Sequence, residues 1–285
     1  MQNKNSLDTI AGALAYAMGI QSPKESAPAN VELSLYIDNA LVGEKADRIF
    51  MYNPDAIGEW IYRKYPKIVK KVTDICDVEI PLASVMPSVT PVCFGTMYTG
   101  AQPSVHGIQK YEKPVIKIDT IFDSLIRSGK RVAVVGDSTC SIGKIFLERE
   151  MDYFIYPTIE EINEKATELI IKDEHDFIVV YNGNYDTVMH KTGTESKEAL
   201  NELHANSCAF ATFAELIQTR WKKHNTLIGF AMDHGCHDID GGCGSHGLDM
   251  DEDINIVHLY KANLKRNKCS LVMGRKWTTQ KKLSL

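Results

Sequence analysis

Leu227-Ile-Gly-Phe-Ala-Met-Asp-His-Gly235 is an apolar run that stops on a carboxylate, an imidazole and a glycine. A short continuous apolar stretch reads as a strand buried on both faces of a sheet. The loops that follow such strands are where an open α/β sheet presents its functional groups. A similar arrangement lies upstream, where the apolar segment 177–181 is followed by Asp186 and His190. His246-Gly247 completes the series downstream. Further strands are read at 78–85, 131–136 and 254–259. They alternate with helical patterns at 118–128, 158–171 and 195–221. Strands alternating with helices predict an α/β/α sandwich with a mostly parallel central sheet.

Toward the N-terminus, Ala-rich residues 10–20 read as a helix capped by Ser6 or Asp8. No basic segment precedes it, so the reading is a helix and not a secretion signal. Residues 22–30, with two prolines and mixed charges, read as a linker. Residues 1–30 are thus expected to be an N-terminal helix and linker, and 31–285 a single catalytic domain. Val31-Glu-Leu-Ser-Leu-Tyr-Ile-Asp38 reads as a strand ending in a carboxylate. Asn53-Pro54-Asp55 reads as a helix start, with Asn as cap and Pro in the first turn.

The chain has 285 residues, with 44% hydrophobic and 24% charged, a composition ordinary for a globular protein. A formal charge of −5 gives no reason to expect a nucleic-acid polymer or a membrane surface as partner. No apolar run is long enough to suggest a membrane span. The expected location is cytoplasmic, and oligomeric state is open. The seven cysteines are odd in number and have no framework spacing, which reads as free thiols in a reducing compartment. A thiolate ligand from Cys236 or Cys243 has no Cys-x-x-Cys pair to support it.

Asp186 and His190 are four apart, so one helical turn brings them to the same face. Asp233 and His234 supply two adjacent ligands only if the backbone turns sharply, which Gly235 permits. Carboxylate oxygen and neutral imidazole nitrogen suit zinc and its neighbours. Two such sets fit a pair of divalent ions and phosphoryl-type chemistry. Zn²⁺ is the expected metal, with Mn²⁺ and Fe²⁺ as alternatives. Thr90, before Pro91, occupies the N-cap of a helix. Its hydroxyl either satisfies a backbone N–H or sits at the positive helix end, where backbone donors also hold phosphate. A threonine hydroxyl needs a metal to act as a nucleophile at neutral pH. His106 is assigned a structural role, and His237, Asp238 and Asp240 are candidates for supporting contacts around the ligands. Residues 136–144 fail as a phosphate loop, because Ser138 replaces a required glycine and Ile145 follows the lysine.

These motifs resemble the alkaline phosphatase superfamily, most closely its nucleotide pyrophosphatase/phosphodiesterase and phosphonoacetate hydrolase-like branches. Thr90 precedes Thr99-Gly100 by the nine residues of that pattern, and Pro103 and His106-Gly107-Ile108 follow. Asp186, His190 and Gly193 match Asp-x-x-x-His-x-x-Gly, and the Asp-His-Gly and terminal His-Gly elements match at 233–235 and 246–247. The patches run from about Val31 to about Asp253, and their shared order carries the resemblance.

The resemblance implies an alkaline phosphatase-like fold and a phosphothreonine intermediate on Thr90. It assigns the position of an Asp ending the first strand to Asp38. One metal would then be held by Asp38, Thr90, Asp233 and His234, and the second by Asp186, His190 and His246. The implied activity is metal-dependent hydrolysis of phosphate esters. The alternatives are a phosphodiesterase or nucleotide pyrophosphatase, a phosphonate hydrolase, or an inactive metal-binding module. The sulfatase nucleophile signature is absent at Thr90-Pro-Val-Cys93, which argues against sulfate esters. The stretch between Thr90 and Asp186 reads as ordinary strand–helix units, so no large cap domain is expected. Cys93 stands where the pyrophosphatase branch often has Asn, and a thiol is a weak donor. Cys93, Lys110 and Lys113 are the candidate substrate contacts, and the partner is a small phosphorus compound.

Overall fold

The computed structural model describes residues 1–265. Ten strands occur among them: β1 (Asn5–Ser6), β2 (Arg48–Pro54), β3 (Val78–Ala83), β4 (Val132–Asp137), β5 (Asp152–Tyr156), β6 (Phe177–Asn182), β7 (Thr226–Phe230), β8 (His237–Ile239), β9 (Cys243–Ser245) and β10 (Asn255–Asn263). Eight form one sheet in the order β1-β3-β10-β7-β2-β6-β4-β5, and β8–β9 is a separate hairpin. The block β7-β2-β6-β4-β5 is parallel throughout, while β10 runs antiparallel to both β3 and β7. This is the expected mostly parallel sheet.

Alternation along β2 shows how the layers form. Phe50 and Tyr52 point to one face, meeting Phe213 and Phe210 of helix Lys197–Arg220 at ring separations of 5.4 and 6.2 Å. Asn53 points to the other, where Tyr98 of helix Thr90–Thr99 donates to its Oδ1 at 2.5 Å. Successive side chains of a strand take opposite faces, so the two helices lie on opposite sides of the sheet. The result is an α/β/α sandwich. Between Thr99 and Asn184 the chain builds β4, β5, β6 and helices of the same sandwich. The N-terminal segment joins it too, since Asn5 and Ser6 pair with β3 and Ile10 and Leu14 of helix Thr9–Met18 lie in the core.

Two elements differ from the sequence reading. Val31–Ala40 is a helix, not a strand, capped by Asn30, whose side chain accepts from Leu33 N at 3.0 Å. Leu33 and Ile37 are buried while Val31 and Leu35 are exposed. A spacing of four satisfies a helical stripe and an alternating strand equally well. Conversely, Asn53 and Pro54 end β2 instead of opening a helix. The next helix begins at Glu59. The first long parallel strand is therefore β2, which ends beside Asp55.

No helix among the described residues is long and apolar enough to cross a membrane. Six cysteines there are unpaired, and Cys269 lies outside the described residues.

Candidate metal centre

Three neighbouring parallel strands, β7, β2 and β6, end at the same edge of the sheet. Their extensions bring together two groups of donors: Asp55 with Asp233 and His234, all buried, and Asp186 with His190 and His246, which are more open. Asp55 follows β2, Asp233-His234 follow β7, and Asp186 and His190 lie on helix Asn184–Thr192 after β6. His246 follows the hairpin β8–β9.

Asp38 is in neither group. It sits on helix Val31–Ala40, where it accepts from the Tyr16 hydroxyl and lies 3.9 Å from Lys45. The position expected for it belongs to Asp55. Asp55 was missed because Asn-Pro-Asp was read as a helix cap. The signal that could have found it is the apolar run Ile49-Phe-Met-Tyr52 immediately before.

In the second group, Asp186 Oδ1 is 3.2 Å from His190 Nε2 and 3.3 Å from His246 Nε2, and the two nitrogens are 3.2 Å apart. In the first, His234 Nε2 is 3.4 Å from Asp55 Oδ1, 3.4 Å from Asp233 Oδ2 and 3.3 Å from Thr90 Oγ1. A tetrahedral ion with donors at about 2.0–2.1 Å places them about 3.3–3.4 Å from one another. Both groups match that spacing.

Proton positions agree. His190 Nδ1–H donates to Gly244 O at 2.9 Å, His246 Nδ1–H to Ser88 O at 3.1 Å, and His234 Nδ1–H to Gly235 O at 2.9 Å. Each neutral ring then offers a bare Nε2 to its group, the tautomer a metal requires. Asp186 Oδ1 and Asp233 Oδ2 are buried with no hydrogen-bond partner. Such orphaned acceptors are costly unless a cation meets them. The donor set therefore fits two divalent ions.

Thr90 is almost fully buried in the first turn of helix Thr90–Thr99, with Val89 as the cap residue. That is one position inside the N-cap expected from sequence. Its hydroxyl does not cap a backbone N–H. It donates to Asp55 at 3.3 and 3.4 Å and faces His234.

Electrostatics separate the two groups in the metal-free chain. Burial, with repulsion from Asp233 and Asp186, raises the Asp55 carboxyl. Burial pushes Asp233 up to about 8 against N–H donors from Ala56 and His234. Desolvation lowers His234. At Asp186 burial opposes ionisation, but His190 and His246, once protonated in the metal-free chain, outweigh it and hold the carboxyl below its ordinary value. His190 is raised by the neighbouring Asp186 carboxylate, which favours its protonated form. Two buried carboxyls that resist ionisation beside a neutral imidazole form a site lacking positive charge.

The support around the site is polar and specific. Where β7 leaves the sheet, the carbonyls of Ala231, Met232 and Asp233 accept from Asn53, His258 and Ser84 at 2.7, 2.7 and 2.6 Å. His237 Nδ1–H donates to Asp253 at 2.7 Å, and Asp238 accepts from Thr194 N and Oγ1, both at 2.8 Å, which fastens the hairpin. Asp240 is exposed at the hairpin turn. Cys236 and Cys243 are in neither donor group. His106 is buried against Thr96 Oγ1 at 3.0 Å.

A cavity of about 360 Å³ opens beside Asp55 and Asp186, lined also by Tyr111, Lys113, Asp137 and Tyr181. Lys113 is thus brought to the site, its Nζ donating to Thr139 O at 2.6 Å. Lys110 is not among the lining residues and pairs with Glu112 at 3.2 Å in solvent. Cys93 is fully buried, its Sγ 3.1 Å from Ser84 Oγ, and does not line the cavity.

No family model matches the chain, and no curated protein matches its sequence. Solved structures do. Murine ectonucleotide pyrophosphatase/phosphodiesterase 5 is similar with a TM-score of 0.56 at 15% identity, over 68% of this chain and 58% of that one. The human protein of the same name gives 0.52 at 14% identity, over 68% and 58%. Phosphonoacetate hydrolase from Sinorhizobium meliloti 1021, in complex with phosphonoformate, gives 0.50 at 18% identity, over 70% and 59%. The chain thus spans less than two thirds of the length of these neighbours. They are alkaline phosphatase superfamily proteins, and the fold of this chain is the alkaline phosphatase-like sandwich.

Proposed function

We propose that this chain is a metal-dependent hydrolase of phosphate esters or related phosphorus compounds, with Thr90 as nucleophile. One cation would be held by Asp55, Thr90, Asp233 and His234, and the other by Asp186, His190 and His246. The observation that carries this reading is the pair of donor groups with tetrahedral spacing, one of them including the hydroxyl of Thr90. The donor types suit zinc. Bound there, two divalent cations would lower the pKa of the hydroxyl and neutralise charge on the phosphoryl oxygens.

The chain's own groups supply the rest. Asp55 accepts from the Thr90 hydroxyl and so orients Oγ1. Attack of Oγ1 on phosphorus forms the new O–P bond as the bond to the leaving oxygen breaks, giving phosphothreonine. Water then cleaves that ester and restores the hydroxyl. Helix Thr90–Thr99 directs its positive end toward the transferred group. Lys113, on the cavity wall, offers a positive charge to an anionic part of the substrate. A small phosphorus compound as substrate is supported by the neighbours, whose structures hold AMP in an inactive murine variant and phosphonoformate in the bacterial enzyme.

The test is turnover of mono- and bis-p-nitrophenyl phosphate by zinc-loaded protein. Thr90→Ala should lower the rate by on the order of 10⁴-fold or more while metal content stays at two ions per chain. Undiminished turnover rejects Thr90 as nucleophile, and the ratio of the two wild-type rates assigns monoester or diester chemistry.

A further inference from the structure

Tyr181 lies near the end of β6, paired in register with Asn53 of β2. Its hydroxyl donates to Asp55 Oδ2. Asp55 is tied to the same strand a second time, by its backbone N–H to Asn182 O at 3.0 Å. The two carboxylate oxygens therefore have different surroundings. Both oxygens lie 3.3–3.4 Å from Thr90 Oγ1, but Oδ1 also faces His234 Nε2 at 3.4 Å, whereas Oδ2 is engaged by the phenol.

The ring is held for this contact. Phe94 packs edge-on against it at 5.9 Å between centroids. Gly183 leaves the space its hydroxyl occupies, since a Cβ at 183 would stand 2.7 Å from that oxygen. A larger residue at 183 would push the phenol off the carboxylate. Three residues beyond Tyr181, the chain enters helix Asn184–Thr192, which carries Asp186 and His190.

We infer that Tyr181 is a positioning residue that restricts Asp55 to one-oxygen ligation of the cation in the Thr90 group. A carboxylate can ligate through one oxygen or both. A phenol donating to Oδ2 occupies a lone pair there and fixes the plane of the group, so Oδ1 alone is presented. The same contact links the Thr90 group to the strand whose continuation carries the second donor group, which sets the spacing between the two. The inference rests on the two-cation reading above and adds to it a residue that touches neither cation.

The test uses a His246→Ala background, which leaves the Asp55 group as the intact site. Zinc affinity is measured by chelator competition for that protein with and without Tyr181→Phe, and visible spectra are recorded after cobalt substitution. Tyr181→Phe should weaken zinc about tenfold to a hundredfold. Its cobalt form should absorb less strongly, because a freed Oδ2 raises the coordination number. Tyr185→Phe is the control, since it removes a buried hydroxyl that donates to Thr194 O at 3.0 Å and belongs to neither donor group. Equal affinities and superimposable spectra for the Tyr181 pair would overturn the inference. If Tyr181→Phe does not fold, 3-fluorotyrosine placed at 181 in the otherwise native chain replaces it. Its fluorine resonance should move as zinc fills the Asp55 group, and a stationary resonance overturns the inference. A native chain that binds no zinc at all overturns the two-cation reading together with it, a result distinct from unchanged binding in the variant.

Discussion

His190 and His246 turn their Nε2 atoms toward each other at 3.2 Å, while each spends its Nδ1–H on a backbone carbonyl. With both rings neutral, two lone pairs and the Asp186 oxygen converge on one point. That arrangement is unfavourable until a positive charge occupies it. Because the carbonyl that orients His246 belongs to Ser88, two residues before Thr90, the second donor group is also fastened to the segment that leads into Thr90.

Removing one member of this triangle should therefore cost a whole ion. Asp186→Asn or His246→Ala is expected to lower bound metal from two ions to one per chain. Turnover should fall by more than the tenfold to hundredfold typical of outer-shell partners. Elemental analysis after gel filtration reads the first number. Two retained ions would contradict the assignment.

Asp55 and Asp38 offer a contrast between the site and the surface. Asp55→Asn should lose the cation at the Thr90 group and with it nearly all turnover. Asp38→Asn, at a half-exposed helix position, should change stability by less than about 0.5 kcal/mol and leave the metal count intact. Parallel metal analysis and urea melts distinguish them.

The stability of the metal-free chain should fall between pH 6.5 and pH 8. Asp55 and Asp233 are raised in the folded state, Asp233 to about 8, so the unfolded chain ionises them first and rising pH favours unfolding. His190, raised by Asp186, acts in the same direction above 6.5, because the folded state holds its proton longer. Lowered His234 favours folding as pH climbs toward 6.5 and contributes nothing beyond it. Lowered Asp186 acts only at acid pH below its ordinary value. Melting temperatures of chelator-treated protein across this window should decline, and added zinc should flatten the curve. A metal-free melting temperature that rises with pH would refute the charge balance described.

Lys113 and Lys110 lie three residues apart but should behave differently. Lys113→Ala removes a charged donor from the cavity wall, so a substrate anion it meets loses about 1.5–3 kcal/mol of binding. That corresponds to roughly tenfold or more in kcat/KM. Lys110→Ala, ion-paired in solvent, should leave kcat/KM within twofold. Steady-state kinetics on an anionic ester resolve the pair.

Much of this site was legible because its motifs are local. Asp186 and His190 needed only a helical turn, and Asp233-His234 needed only the end of an apolar strand. The sandwich followed from β4, β6 and β7, whose apolar runs are continuous. Asp38 misled because residues 31–38 alternate as a strand does, while burial selects Leu33 and Ile37 alone. Asp55 was hidden by Asn53-Pro54, whose cap-like chemistry is overridden by pairing of β2 with β6 and β7. The position of Lys113 depends on where its loop meets the segment around Thr139, which no local pattern encodes. The same holds for the Cys93 thiol, turned inward to Ser84.

Gly235 was expected for a sharp turn, yet what it supplies is room. A Cβ there would lie 1.9 Å from Glu252 O and 2.9 Å from the Gly58 Cα. The backbone beyond His234 is thus wedged between two segments remote in sequence, and the His234 ring takes its bearing from both. A lengthened loop near 58 or 252 should consequently dislodge the imidazole although no ligand has changed. Engineers reshaping this protein's surface would meet such a fault as a displaced His234 with no altered residue near it in sequence.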